Sequence, residues 1–332
     1  MAQVQNSRTR ASHGVVCSPA VLGLLGSGGF LGLTLAMALL NGFGREEYPN
    51  HDSYEGQFLR GARHGTGTYY HHDGSRYEGQ FVDGMMEGSG RYYNSENEVY
   101  DGEWHNSQRH GYGKFTYHDG TIYDGRWECD LRHGQGLMRY ADGAVFSGHW
   151  ASDRRHGQGQ MTSSDGGQYQ GLWHEDHRHG VGSLKLQNGS TYDGEFVDDI
   201  PEGKGTLFDT DERSMYTGQF KKGLRCGEGS CEYLKTNDKF VGQWINGARS
   251  QGIMFCFDGE VERVGFLNDK LVRREKLPKA EQERLKAEAN GETYVAQDPA
   301  PSTQTRTSQL KFISNDPDVI PDGEGPSEAV AA

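Results

Sequence analysis

Aromatic residues and glycines alternate with polar residues in a pattern that returns every 23 positions along most of the chain. A unit opens on an aromatic residue, with glycine two places on and a second aromatic four places on. The opening residues are Tyr54, Tyr77, Tyr100, Tyr123, Phe146, Tyr169 and Tyr192 at steps of 23, then Tyr216 and Phe240 at steps of 24. The second aromatics are Phe58, Phe81, Trp104, Trp127, Trp150, Trp173, Phe196, Phe220 and Trp244. Because strand side chains alternate with period two, positions 0, 2 and 4 of a unit share one face. Eight units then carry glycine at positions 11 and 13, from Gly65 and Gly67 to Gly227 and Gly229. In the ninth unit Gln251 and Ile253 stand there. Position 15 is apolar: Tyr69, Tyr92, Phe115, Met138, Met161, Leu184 and Leu207.

Turn dipeptides close most units: Asp73-Gly74, Asp119-Gly120, Asp142-Gly143, Asp165-Gly166 and Asn188-Gly189. Such pairs favour tight hairpins, since both central residues of a type I′ turn need positive φ. Each unit is therefore expected to be two antiparallel strands. The glycines at positions 11 and 13 are expected to make room for aromatic rings of a neighbouring unit. The rings of Tyr100, Trp104, Tyr123, Trp127, Phe146, Trp150, Tyr169 and Trp173 form the predicted structural face. The fold class that follows is all-β, an extended single-sheet solenoid of antiparallel β-hairpins; at ~4.8 Å per strand, eighteen strands span roughly 85 Å.

This pattern closely resembles the MORN (membrane occupation and recognition nexus) repeat, with its Tyr-x-Gly-x-Trp, Gly-x-Gly and Asp/Asn-Gly segments. Nine repeats are expected over residues 54–267. The resemblance implies a scaffold or targeting module beside membranes or cytoskeleton, with any catalysis in another domain. The 65 residues after Leu267 are too few for a kinase or methyltransferase domain.

Outside the repeats, residues 1–19 are read as an unstructured N-terminus. Residues 20–40 (AVLGLLGSGGFLGLTLAMALL) contain no charge and are long enough to span or enter a bilayer as a helix. Gly28 and Gly32 would let two such helices approach, so a homodimer is one expectation. Cleavage after Ala36-Met37-Ala38, an organellar presequence and a tail folded on the first repeat are the alternatives. The excess of positive charge before this segment, Arg8 and Arg10, favours placing residues 1–19 in the cytosol and the repeats outside it, whereas the family resemblance implies repeats on the cytoplasmic side. Residues 268–290 are read as a helical cap, as two short helices or as one starting near Lys279, since Pro278 interrupts them. From residue 291 the composition predicts a disordered tail.

Charge narrows the partners. The net charge is −13, and it resides on the repeats, because residues 1–45 are weakly basic and the tail weakly acidic. Nucleic acid is excluded as a partner on this ground, and general attraction to anionic lipid is disfavoured. Five cysteines without a CxxC pair are read as reduced thiols.

One element resists both conclusions. Arg-His-Gly recurs, and its rungs Arg109-His110, Arg132-His133, Arg155-His156 and Arg178-His179 form a candidate strip for an acidic phospholipid headgroup or an acidic protein partner. Against this, a phosphate-binding glycine loop normally opens a helix, while these glycines enter a strand. Acids two residues upstream, Asp130, Asp153 and Asp176, are expected to neutralise the arginine of their own loop. On this reading the arginines cover the loop and are dispensable for folding. His174, His177 and His179 with Glu175 and Asp176 suggest a metal cluster, but exposed loop residues are the simpler reading. Carboxylates at Glu55, Glu78, Asp101, Asp124 and Asp193 recur as the solvated side of a strand. No catalytic site, cofactor or metal is expected.

The function these observations favour is a non-enzymatic scaffold, membrane-associated, that presents an extended β surface to a protein partner of cytoskeletal, ciliary or membrane-junction type. The alternatives are a phosphoinositide-binding targeting module and a targeting subunit for a separate kinase or methyltransferase chain.

Overall fold

The computed structural model describes residues 14–16 and 41–292. The chain divides into two units, residues 1–278 and 279–332. The first holds one sheet of twenty-two strands, in which consecutive strands pair antiparallel from β1 (Gly14–Val16) and β2 (Gly42–Glu47) to β21 (Val261–Leu267) and β22 (Lys270–Lys276). The second holds one helix among its described residues, α1 (Lys279–Ala289). The predicted apolar helix at 20–40 and the disordered tail from residue 293 lie outside the described residues, as does the N-terminus read as unstructured except for Gly14–Val16, which is corrected to a strand paired with β2. Among the described residues, no helix is long and apolar enough to cross a membrane.

Each unit is a hairpin, as in β3 (Ser53–Leu59) and β4 (Ala62–Tyr70). The strands of a unit are joined by two residues at positions 6 and 7, both with positive φ, for example Cys129 and Asp130 (49° and 69°) or Ser152 and Asp153 (49° and 68°). These are the type I′ turns. The Asp-Gly pairs instead join one unit to the next, which corrects the predicted turn type. At Asp73-Gly74 only the glycine has positive φ, the Gly74 amide bonds His71 O at 3.1 Å, and Asp73 Oδ1 accepts from the Ser75 amide at 2.9 Å.

The glycines divide into two kinds. Those at positions 2 and 13 face each other across the hairpin, as Gly56 and Gly67 do. The ring of the same unit's opening tyrosine lies over them, so that a Cβ on Gly67 would stand 2.3 Å from Tyr54 Oη. Room is therefore made first for the unit's own opening ring, and at Gly159 for the next unit's Trp173 as well, whose Cδ1 would lie 3.0 Å from a Cβ there. Gly65, at position 11, serves otherwise. It has φ of 66° beside a register shift, and a Cβ there would meet the Gln57 side chain at 1.9 Å. That carboxamide accepts from the Thr66 amide at 3.0 Å, satisfying a backbone group that the bulge displaces.

The core is a zigzag of edge-to-face rings. Each opening ring contacts the position-4 ring of its own unit and that of the next: Tyr123 lies 5.2 Å from Trp127 and 5.4 Å from Trp150, and Phe146 lies 5.3 Å from both Trp150 and Trp173. Tyr100, Trp104 and Tyr169 extend the same buried line. These pairs couple each unit to its neighbour beyond simple burial. Burial pushes the phenols upward, to about 12 at Tyr54 and Tyr169, so they remain neutral donors to the carbonyls of Gln57 and Leu172.

A tenth, degenerate hairpin follows the ninth. Glu262, Val264 and Phe266 take the places of the opening aromatic, glycine and second aromatic, since Gly252 pairs with Val264 as Gly229 pairs with Gly242. Residues 270–276 are thus a strand rather than part of a helical segment beginning at 268, and helix starts only at Lys279.

The arginine ladder as candidate functional site

Position 9 follows the type I′ turn, and its side chain emerges on the aromatic face. Arg109, Arg132, Arg155 and Arg178 occupy it in four successive units. Each reaches forward to the aspartate at position 7 of the next unit. Arg132 donates from its backbone N and from Nε to Asp153 Oδ1, both at 2.9 Å, and from Nη2 to the Asp153 carbonyl at 2.9 Å. The same bonds join Arg109 to Asp130, Arg155 to Asp176 and Arg178 to Asp199. Arg249 and Asp269 repeat the geometry at the tenth hairpin. The carboxylate can do this because aspartate tolerates the left-handed backbone of the turn.

Two expectations are corrected here. The aspartates do not neutralise the arginine of their own loop: Asp130, Asp153 and Asp176 bind Arg109, Arg132 and Arg155, which lie 21 residues earlier. Nor are the arginines loose cover. Each guanidinium also lies over the position-4 ring of the next unit, at 4.3 Å for Arg109 on Trp127, 4.4 Å for Arg132 on Trp150 and 4.4 Å for Arg155 on Trp173. Arg132 is left only 19% exposed at its side chain. One arginine thus joins two hairpins by three hydrogen bonds and a cation–π contact, and little of its charge faces solvent.

At Asp199 burial raises the pKa, but bonds from the Arg178 amide, the His177 ring and the Arg178 side chain outweigh it and hold the carboxyl below its ordinary range. Asp269 behaves alike under Arg249.

The histidines at position 10 leave the ladder. His133 pairs with Glu128 at 3.4 Å and His179 with Asp198 at 3.6 Å, while the His156 ring lies 5.3 Å from that of His174; His110 lies 5.6 Å from His105. The residues of the suggested metal cluster disperse to separate partners: Glu175 to Arg154, Asp176 to Arg155 and His177 to Asp199. Glu96, Glu98 and His118 do converge among the described residues, a grouping the sequence reading did not single out. Their signal was Asn94, whose side chain bonds the Glu96 and Glu98 amides and folds the loop back. The thiols of Cys129, Cys226, Cys231 and Cys256 are free.

Comparison with known proteins agrees with this repeat. The MORN repeat model matches residues 54–76, 77–97, 100–122, 123–145, 146–168, 169–191, 192–211 and 216–233. No curated protein sequence matches the chain. Among solved structures, the chain is similar to the TCP10 domain of Danio rerio CPAP in complex with a peptide of Danio rerio STIL. Identity is 9% and the TM-score 0.37, over 70% of this chain and 98% of that one. A second structure, of the wild-type TCP10 domain of Danio rerio CPAP, gives 10% identity and a TM-score of 0.33, over 62% and 97% of the two chains. These scores are too low for an argument about partners. The eight matched repeats cover more than half of the sequence, and the chain belongs to the MORN repeat family.

Proposed function

We propose that this chain is a non-enzymatic scaffold that presents its extended sheet to a protein partner and is held at a membrane through residues 20–40, with the repeats on the cytoplasmic side. The observation that carries the first half is the engagement of the arginine ladder. A headgroup strip needs cationic nitrogens free to bind phosphate, and here the Nε and Nη2 atoms of Arg109, Arg132, Arg155 and Arg178 are already donated to the next hairpin. The acidity of the repeats points the same way. The uncharged run at 20–40 supports the second half.

Two measurements on the full-length chain test the proposal. Vesicle flotation should give equal binding with and without phosphoinositide, and deletion of residues 20–40 should move the protein from the membrane pellet to the soluble fraction. A phosphoinositide-dependent gain that the deletion leaves intact would replace this reading by the lipid-targeting one. Extraction of the full chain by alkaline carbonate would refute the spanning segment.

A further inference from the structure

The repeat is regular enough to show where a side chain is missing. Position 17, just before the turn between units, lies on the aromatic face beside the ladder. Consecutive position-9 arginines flank it four times: Arg109 and Arg132, Arg132 and Arg155, Arg155 and Arg178, and Arg225, which has no position-7 aspartate ahead of it but lies 4.5 Å over Trp244, with Arg249. In three of these the flanked residue is a tyrosine, Tyr117, Tyr140 and Tyr233, each half-buried against the core. The phenols of Tyr117 and Tyr140 lie in the fields of both neighbouring arginines. At Tyr233 the contact is explicit, for Arg249 Nη1 donates to its hydroxyl at 2.9 Å.

In the remaining case, between Arg155 and Arg178, the residue is Ser163. The turn there reads SSDGG, and a second small residue coincides with the first. Gly167 stands where Thr121 and Ser190 stand in other units, whose hydroxyls accept from the amides of Ala141 and Thr210. With both side chains absent, a recess of about 330 Å³ opens, lined by Arg155, Arg178, Trp173, Met161 and Leu184. Its floor is apolar and ring-lined. Arg155 and Arg178 spend Nε and Nη2 on Asp176 and Asp199, as Arg249 does on Asp269, so Nη1 is left to meet an oxygen.

We propose that this recess binds a tyrosine side chain of the protein partner, whose ring fills the place that Tyr117, Tyr140 and Tyr233 fill in their own units and whose hydroxyl accepts from the ladder arginines. The chain's own repeats identify the ligand chemistry: a flat ring with a single neutral oxygen at its tip. The inference rests on the scaffold reading, but it concerns one recess and is tested there directly.

The probe is p-cresol, the side chain of tyrosine, titrated into the full-length protein with the methyl resonance of Met161 as readout. A shift with a midpoint near 1 mM is expected for a ligand of this size. Toluene, which lacks the oxygen, should bind roughly tenfold more weakly. Ser163→Tyr should abolish the response and leave the protein folded. Tyr140→Ser should create a second recess, so that the Met138 methyl responds as well. An unmoved Met161 at about 10 mM p-cresol, or an equal shift in Ser163→Tyr, overturns the inference. So does O-phosphotyrosine binding more tightly than p-cresol, which would assign the recess to an anion. If p-cresol binds but no protein partner accompanies the full-length chain, the scaffold reading fails and the recess stands.

Discussion

Two tryptophans in equivalent places make a sharp test of the packing, because they differ in one hydrogen bond. Trp127 and Trp150 are both 4% exposed, lie edge-on to two rings and carry a guanidinium over the indole. Trp127 Nε1 donates to the Gly113 carbonyl at 3.0 Å, whereas Trp150 Nε1 is buried without a partner. Phenylalanine is tolerated at this position, as Phe58, Phe81, Phe196 and Phe220 occupy it elsewhere. Replacing either tryptophan by phenylalanine therefore removes the same ring area and differs chiefly in the polar atom, the other difference being the Phe115 ring 6.1 Å from Trp127. Trp127→Phe forfeits a hydrogen bond worth about 1 kcal/mol net, while Trp150→Phe relieves an unsatisfied donor that costs about 1 to 3 kcal/mol. The two variants should differ by about 2 to 4 kcal/mol, with Trp127→Phe the less stable. Because neighbouring repeats can unfold without the ends, the assay is native-state hydrogen exchange of the amides in residues 122–139 and 145–162. Protection at the substituted unit should differ by roughly thirty-fold or more, since 1.4 kcal/mol is a factor of ten. Equal losses would show that the indole nitrogens do not matter and that the ring packing described here is wrong in its detail.

Gly136→Ala should unfold the middle of the array, since a Cβ there would stand 2.4 Å from Tyr123 Oη and 2.6 Å from Tyr123 Cε2; a cooperative melt unchanged from the native chain would contradict the tyrosine–glycine packing. Asp199 has a folded pKa below its unfolded one. Its contribution is therefore present above the ordinary aspartate value and is lost as pH falls below about 4. Asp199→Asn should accordingly flatten the acid limb of the stability curve, and an acid limb identical to that of the native chain would remove this aspartate from the account.

The hairpin period and the shared face of Tyr123, Trp127 and their equivalents were legible because they depend on side-chain alternation within a unit. What lay between units was less so. The sequence places Asp130 two residues from Arg132, yet the turn directs its carboxylate back to Arg109; only the φ values at Cys129 and Asp130 reveal this. The bulge at Gly65 was hidden for a similar reason, since a glycine needed for φ and a glycine needed for space look alike in a sequence. The tenth hairpin escaped because Glu262 and Val264 erase the aromatic-glycine opening. Its surviving signals, Phe266 and the Asn268-Asp269 turn, carry meaning only once the Arg249 clamp is known. The recess at Ser163 was legible only as a difference from Tyr117 and Tyr140 after the ladder had been placed.

The most direct test of the ladder is the simultaneous replacement of Arg109, Arg132, Arg155 and Arg178 by glutamine in the full-length chain, with melting temperature and phosphoinositide-dependent vesicle flotation measured on the same preparation. Each replacement removes charge-assisted hydrogen bonds worth about 1.5 to 3 kcal/mol apiece and a cation–π contact worth about 0.5 to 1 kcal/mol. The structural ladder predicts a clearly lower melting temperature and flotation that is as indifferent to phosphoinositide as that of the native chain. An unaltered melting temperature together with lost phosphoinositide binding would contradict it.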